Sequence, residues 1–144
     1  MTFADANIFL RFLTTPVTEA DRARSEACRA LFERVAHGDE ELTTSEAVLS
    51  EIVYVLGSPR QYGLTPSEIA GRLQPILALR GLRIANKQRY MRALELFAQH
   101  RRLDFEDALS VTYVELSDPP ELYSYDRDFD VFEQLTRREP TTRP

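Results

Sequence analysis

Residues 1–13, MTFADANIFLRFL, decide the fold reading: a short β-prone run, Thr2–Ala4, reaches an acid, Asp5, and passes at once into a helical pattern, Asn7–Leu13. The same alternation continues along the chain. Thr18–Asp21 has capping-box-like spacing and opens a helix to about Val35, with Ala27, Leu31 and Val35 on one face. Glu41–Thr44 reads as a brief strand, and Ser45 caps a helix over Glu46–Leu56, stopped by Gly57 and Pro59. Thr65-Pro66-Ser67-Glu68 starts another helix, with proline first and glutamate third, ending near Gly81. Leu82–Ala85 is a third strand candidate; Asn86 caps a helix to about Arg101, Asp104 caps one to Leu116, and Glu121–Tyr125 is a fourth strand. Strands separated by helices predict an α/β fold: a short parallel central sheet between helical layers, whose site forms where strand carboxyl ends meet helix N-termini.

The chain's 144 residues are enough for one domain with one continuous core, here residues 1–135. The polar stretch 136–144, TRREPTTRP, has the look of a flexible C-terminal tail. An apolar fraction of 43% argues against disorder, and no run approaches the roughly 18 apolar residues of a membrane helix. With no basic leader-like segment and one cysteine, Cys28, a reducing cytoplasmic setting is expected. Net charge is −5, against the usual sign for a nucleic-acid binder, but a site for divalent cations must itself carry surplus carboxylate. Lys87 is the only lysine, so 17 of 18 basic residues are arginine; genomic base composition gives the same bias, so this count carries no functional weight. His37 and His100 sit near helix ends and read as helix-terminal or surface groups.

The acids are more informative. Asp5 follows the first strand, with Asn7 two residues on. Glu51 lies mid-helix in EAVLSEIVYVL between Val48 and Val55, where a buried carboxylate is costly without a partner or a metal. In LDFEDALSV, Asp104 fits an N-cap and Asp107 the third helical position, sharing a face with Val111 and Val114. Asp126 ends the strand ELYSY, and Asp128 or Asp130 could cap a short helix through Phe132. Each acid has a structural explanation, but in the inferred sheet Asp5, Glu51, Asp107 and Asp126 can converge. Two carboxylates 4 Å apart repel by about 4 kcal/mol at an effective dielectric near 20, so four require cations. Oxygen-only donors select Mg²⁺ or Mn²⁺ over zinc.

Four blocks in order, FADANIFLRFL, SEAVLSEIVYVL, DFEDALSV and LYSYDRDF, resemble the PIN-domain ribonucleases, in particular the VapC-type toxins of toxin–antitoxin pairs. The resemblance runs from about Phe3 to Phe129 and implies an α/β/α sandwich that hydrolyses RNA with a metal-activated water. It places the family's catalytic acids at Asp5, Glu51, Asp107 and Asp126, with Asp104 and Asp128 auxiliary. It implies a metal held by Asp5, Asp107 and Glu51, with Asp126 a ligand of the same ion or of a second. Asn7 and Ser124 would orient water or ligand carboxylates; Ser124 stands where threonine is usual. Arg11, one turn into the first helix, is a candidate RNA phosphate contact. A homodimer and a cognate antitoxin that blocks the site are implied partners.

Two other readings compete. A catalytically inactive PIN-like module binding RNA or protein would not need all four acids. A receiver-like phosphoacceptor needs paired acids after the first strand and a lysine near the last, whereas Asp5 stands alone and Lys87 opens a middle helix. A phosphatase with two aspartates after the first strand fails at Asn7.

Overall fold

A computed structural model describes residues 1–143. Its contacts divide the chain into two compact units, residues 1–87 and the chain from Gln88 onward. The α/β class holds: six helices alternate with short strands, and the strand pairing is parallel. That pairing forms two two-stranded sheets, one in each unit.

In the first unit, β1 (Thr2–Phe3) leads through Asp5 into α1 (Ala6–Leu13), then α2 (Glu19–His37), β2 (Leu42–Thr43), α3 (Glu46–Gly57) and α4 (Pro66–Leu77). Thr2 lies opposite Leu42 and Phe3 opposite Thr43. The end of β1 is fixed by a buried hydrogen bond, 2.8 Å, from the Thr44 hydroxyl to the Ala4 carbonyl. The third predicted strand shrinks to one parallel bridge, Leu82 to Leu42. Asn86, at a φ of 60°, turns the backbone soon after, which leaves little room for a longer strand.

Helix starts follow local chemistry. Thr18, Ser45 and Thr65 are N-caps, each accepting from a backbone N–H three residues on. At α4 the Glu68 carboxylate also accepts from the Thr65 N–H, closing the capping box. α4 stops at Leu77, short of the Gly81 boundary that the sequence suggested. Phe9 and Phe12 of α1 pack on Phe32 of α2 with ring centroids 5.4 and 4.7 Å apart. Leu49, Ile52 and Leu56 of α3 and Ile69, Leu73 and Leu77 of α4 are fully buried. Each such side chain contributes roughly 1.5–3 kcal/mol of burial. Gly81 is fixed by close approach: its N–H donates to the Val35 carbonyl at 2.9 Å, and a Cβ there would run into the carbonyl oxygens of Val35 and Glu40.

The second unit carries α5 (Lys87–Gln99, entered from the end of the first), α6 (Phe105–Glu115), β3 (Glu121–Tyr123), a short 3-10 helix (Arg127–Val131) and β4 (Thr136–Arg138). Asn86 precedes α5 but is left-handed, not in the extended conformation of an N-cap. Phe97 meets Phe105 edge-on at 6.1 Å, and His100 packs its ring on Phe132 at 4.7 Å. The stretch read as a flexible tail opens with β4, paired in parallel to β3 with Leu122 opposite Arg137. What orders it is Arg137, whose side chain is only 14% exposed. Among the described residues, no helix is long and apolar enough to cross a membrane.

Candidate active site

The candidate acids fall into two sets, one in each unit. In the first unit, Asp5 is exposed and is the N-cap of α1, its carboxylate accepting from the Asn7 N–H at 3.0 Å. Asn7 is also exposed, at the start of α1. Glu51 corrects the sequence reading. It is exposed, because the buried stripe of α3 runs through Leu49, Ile52, Val53 and Leu56, while Val48 and Val55 are half-buried. The helix turns Glu51 away from the core, so burial cost gives no reason for its presence. Glu51 instead lines a cavity shared with Asn7 and Arg11.

Arg11 is not a free phosphate contact: its Nη1 donates to Asp21 Oδ1 at 3.0 Å, and both side chains are about one-third exposed. That guanidinium, followed by the Thr18 hydroxyl, holds the Asp21 carboxyl below its ordinary range. The sequence reading assigned Asp21 to the capping of α2. Its N–H does serve there, donating to the Thr18 hydroxyl at 3.1 Å, but the carboxylate is committed to Arg11. A ten-residue separation hides that pairing from any local pattern.

The second set is tighter. Asp104 caps α6, Oδ1 accepting from the Asp107 N–H at 2.8 Å. Asp107 occupies the third helical position and is half-buried above Val111 and Val114, as the helical spacing predicted. Burial, first, and then the negative charges of Asp104 and Asp126 push the Asp107 carboxyl up to about 6. A hydrogen bond from the Asp104 backbone opposes that rise without cancelling it.

Asp126 itself caps the 3-10 helix, accepting from the Asp128 N–H at 2.9 Å, so neither Asp128 nor Asp130 is the cap. The Ser124 hydroxyl accepts from the Asp126 N–H at 3.0 Å and so positions the acid through its backbone. Asp128 lies 3.7 Å from Arg102. Asp130 is bound by Arg137, Nε to Oδ1 at 2.8 Å and Nη2 to Oδ2 at 3.4 Å, while Arg137 Nη1 donates to the Ser124 carbonyl at 2.9 Å. One guanidinium thus ties both ends of the segment that carries Asp126. The sequence reading passed over Arg137 with the tail; the polar–basic string TRR carried no apolar signal to mark a strand.

Among the described residues, no three His, Cys, Asp or Glu side chains are grouped so as to hold a metal ion. The chemistry of the second set nevertheless fits a hard cation. Its donors are all carboxylate oxygens, and the electrostatic linkage of Asp107 to Asp104 and Asp126 is an excess of negative charge that a divalent ion offsets.

Compared with known families, residues 2–135 match the family described as PIN domain. No curated protein matches the chain.

Proposed function

The chain belongs to the PIN domain family, whose members are generally nucleases, and from that premise we propose that it is a Mg²⁺- or Mn²⁺-dependent endoribonuclease. The observation that carries the reading is the raised Asp107 carboxyl beside Asp104 and Asp126, a surplus of charge that capping alone does not require. In this reading Asp5, Asp107 and Asp126 hold the ion, and Glu51 completes the catalytic acids. A bound divalent ion supplies Lewis acidity, acidifying water and offsetting charge that builds on phosphoryl oxygens.

The chain's own groups do the rest. Asp104 holds the α6 N-terminus in place beneath Asp107. Ser124 and Arg137 fix the backbone on either side of Asp126. Asn7, through its N–H, orients the Asp5 carboxylate. Loss of such supporting partners costs metal sites about 10–100-fold.

The VapC-like order of the four sequence blocks supports a finer proposal, that the enzyme is the toxin of a toxin–antitoxin pair, acts as a homodimer and is blocked by a cognate antitoxin. Co-purification with the product of an adjacent small reading frame, with loss of nuclease activity in the complex, tests that part. The nuclease assignment is tested by incubating RNA with purified protein and Mg²⁺ or Mn²⁺. Cleavage is expected, and EDTA should stop it. Asp5→Asn should lower the rate at least about 100-fold, beyond the loss of a merely supporting group, with an unchanged circular-dichroism spectrum. Binding without cleavage by wild type would instead identify an inactive PIN module.

A further inference from the structure

The cavity in the first unit has a volume of about 380 Å³, within the range of roughly 300–1,000 Å³ typical of small-molecule sites. One end of its wall is Asn7, whose N–H is bound to the Asp5 carboxylate, and Glu51 lies on the same wall. The cavity therefore adjoins residues assigned above to the reaction. Away from them it is lined by the Arg11–Asp21 pair, the Ser25 hydroxyl and the turn residues Gln61 and Tyr62. Ser25 is 7% exposed, so a polar group lies deep in this wall.

The charges select the occupant. One guanidinium faces two carboxylates, those of Asp21 and Glu51, so the pocket disfavours a phosphate and accepts a neutral, hydrogen-bonding group. Arg11 is held by one nitrogen, leaving other N–H groups to donate, while Asp21 binds it through one oxygen and keeps a second acceptor. Gln61 offers both a donor and an acceptor. Such a wall pairs with a flat heterocycle that carries an exocyclic amino group beside a ring or carbonyl acceptor.

We propose that this cavity is a base-reading pocket of the nuclease: it takes one unpaired base next to the cleaved bond, favouring adenine, guanine or cytosine over uracil, which has no amino group. The inference rests on the nuclease reading and names its substrate as single-stranded RNA, because a paired base cannot present its edge in this way. Arg11 then contacts RNA through a base, held in place by Asp21, and not through a phosphate.

The test is cleavage of a single-stranded RNA library randomised around the cut, with Mn²⁺, comparing wild type, Gln61→Ala and Arg11→Lys. Wild type should disfavour uridine at one position beside the cut by at least about tenfold, the scale of one well-formed base contact. Both variants should flatten that preference at that position alone. A general folding defect would instead slow cutting of all sequences alike, and Gln61→Ala, in an exposed turn, keeps the test open if Arg11→Lys misfolds. No preference in wild type, or a preference unchanged in both variants, overturns the pocket assignment. If wild type leaves the library intact, or Asp5→Asn cuts it equally well, the nuclease reading itself fails and the pocket assignment falls with it.

Discussion

Asp107 is the residue whose physics is most directly measurable. Its folded carboxyl titrates near 6 against an ordinary value of 3.8, so folding favours its protonated form. The stabilising contribution is complete below about 3.8 and is lost as pH rises through 6. Because the group is partly exposed, the loss should be on the order of 1–2 kcal/mol, less than the full shift would give. Wild type should therefore lose thermal stability between pH 4.5 and 7.5 relative to Asp107→Asn, and millimolar Mn²⁺ should restore it at pH 7.5. Equal pH profiles for the two proteins would remove Asp107 as the strained acid. At this scale the sequence was legible where helical position decides the environment, as at Asp104 and Asp107. It was misleading at Glu51, because two flanking valines suggested a buried stripe that the helix in fact turns through Ile52 and Val53.

At the level of elements, the starts of helices were readable because a cap is a local event, settled within four residues. The strands were harder. β1 and β2 are two residues each, and their partners are about 40 residues apart, so no period-2 pattern has room to develop. β4 was missed because its order comes from Arg137 bridging to Ser124 and Asp130, a tertiary contact. Arg137→Ala should accelerate amide hydrogen exchange across residues 124–130 while leaving α6 protected; unchanged exchange there would mean that the clamp is incidental. In the first unit, Gly81→Ala should destabilise by roughly 1–3 kcal/mol or more in urea unfolding, since a methyl group must displace the backbone at Val35 and Glu40. A neutral result would show that the end of α2 can yield.

For the whole molecule, an overall charge of −5 opposes RNA binding unless cations intervene. Fold class and family were legible in the order of four acid-bearing blocks along the chain, and the match over residues 2–135 agrees with that order. What the order could not convey was which acids carry excess charge and which are simply caps. The pK of Asp107 separates these, and it directs the most immediate test of the nuclease account. Single-turnover cleavage of a labelled single-stranded RNA should be measured at pH 7.5 for wild type and Asp107→Asn, each with Mn²⁺ and with EDTA. The account predicts rapid cutting only by wild type with Mn²⁺, and a rate at least about 100-fold lower in the variant. Cutting that persists in EDTA, or an Asp107→Asn rate equal to wild type, would contradict it.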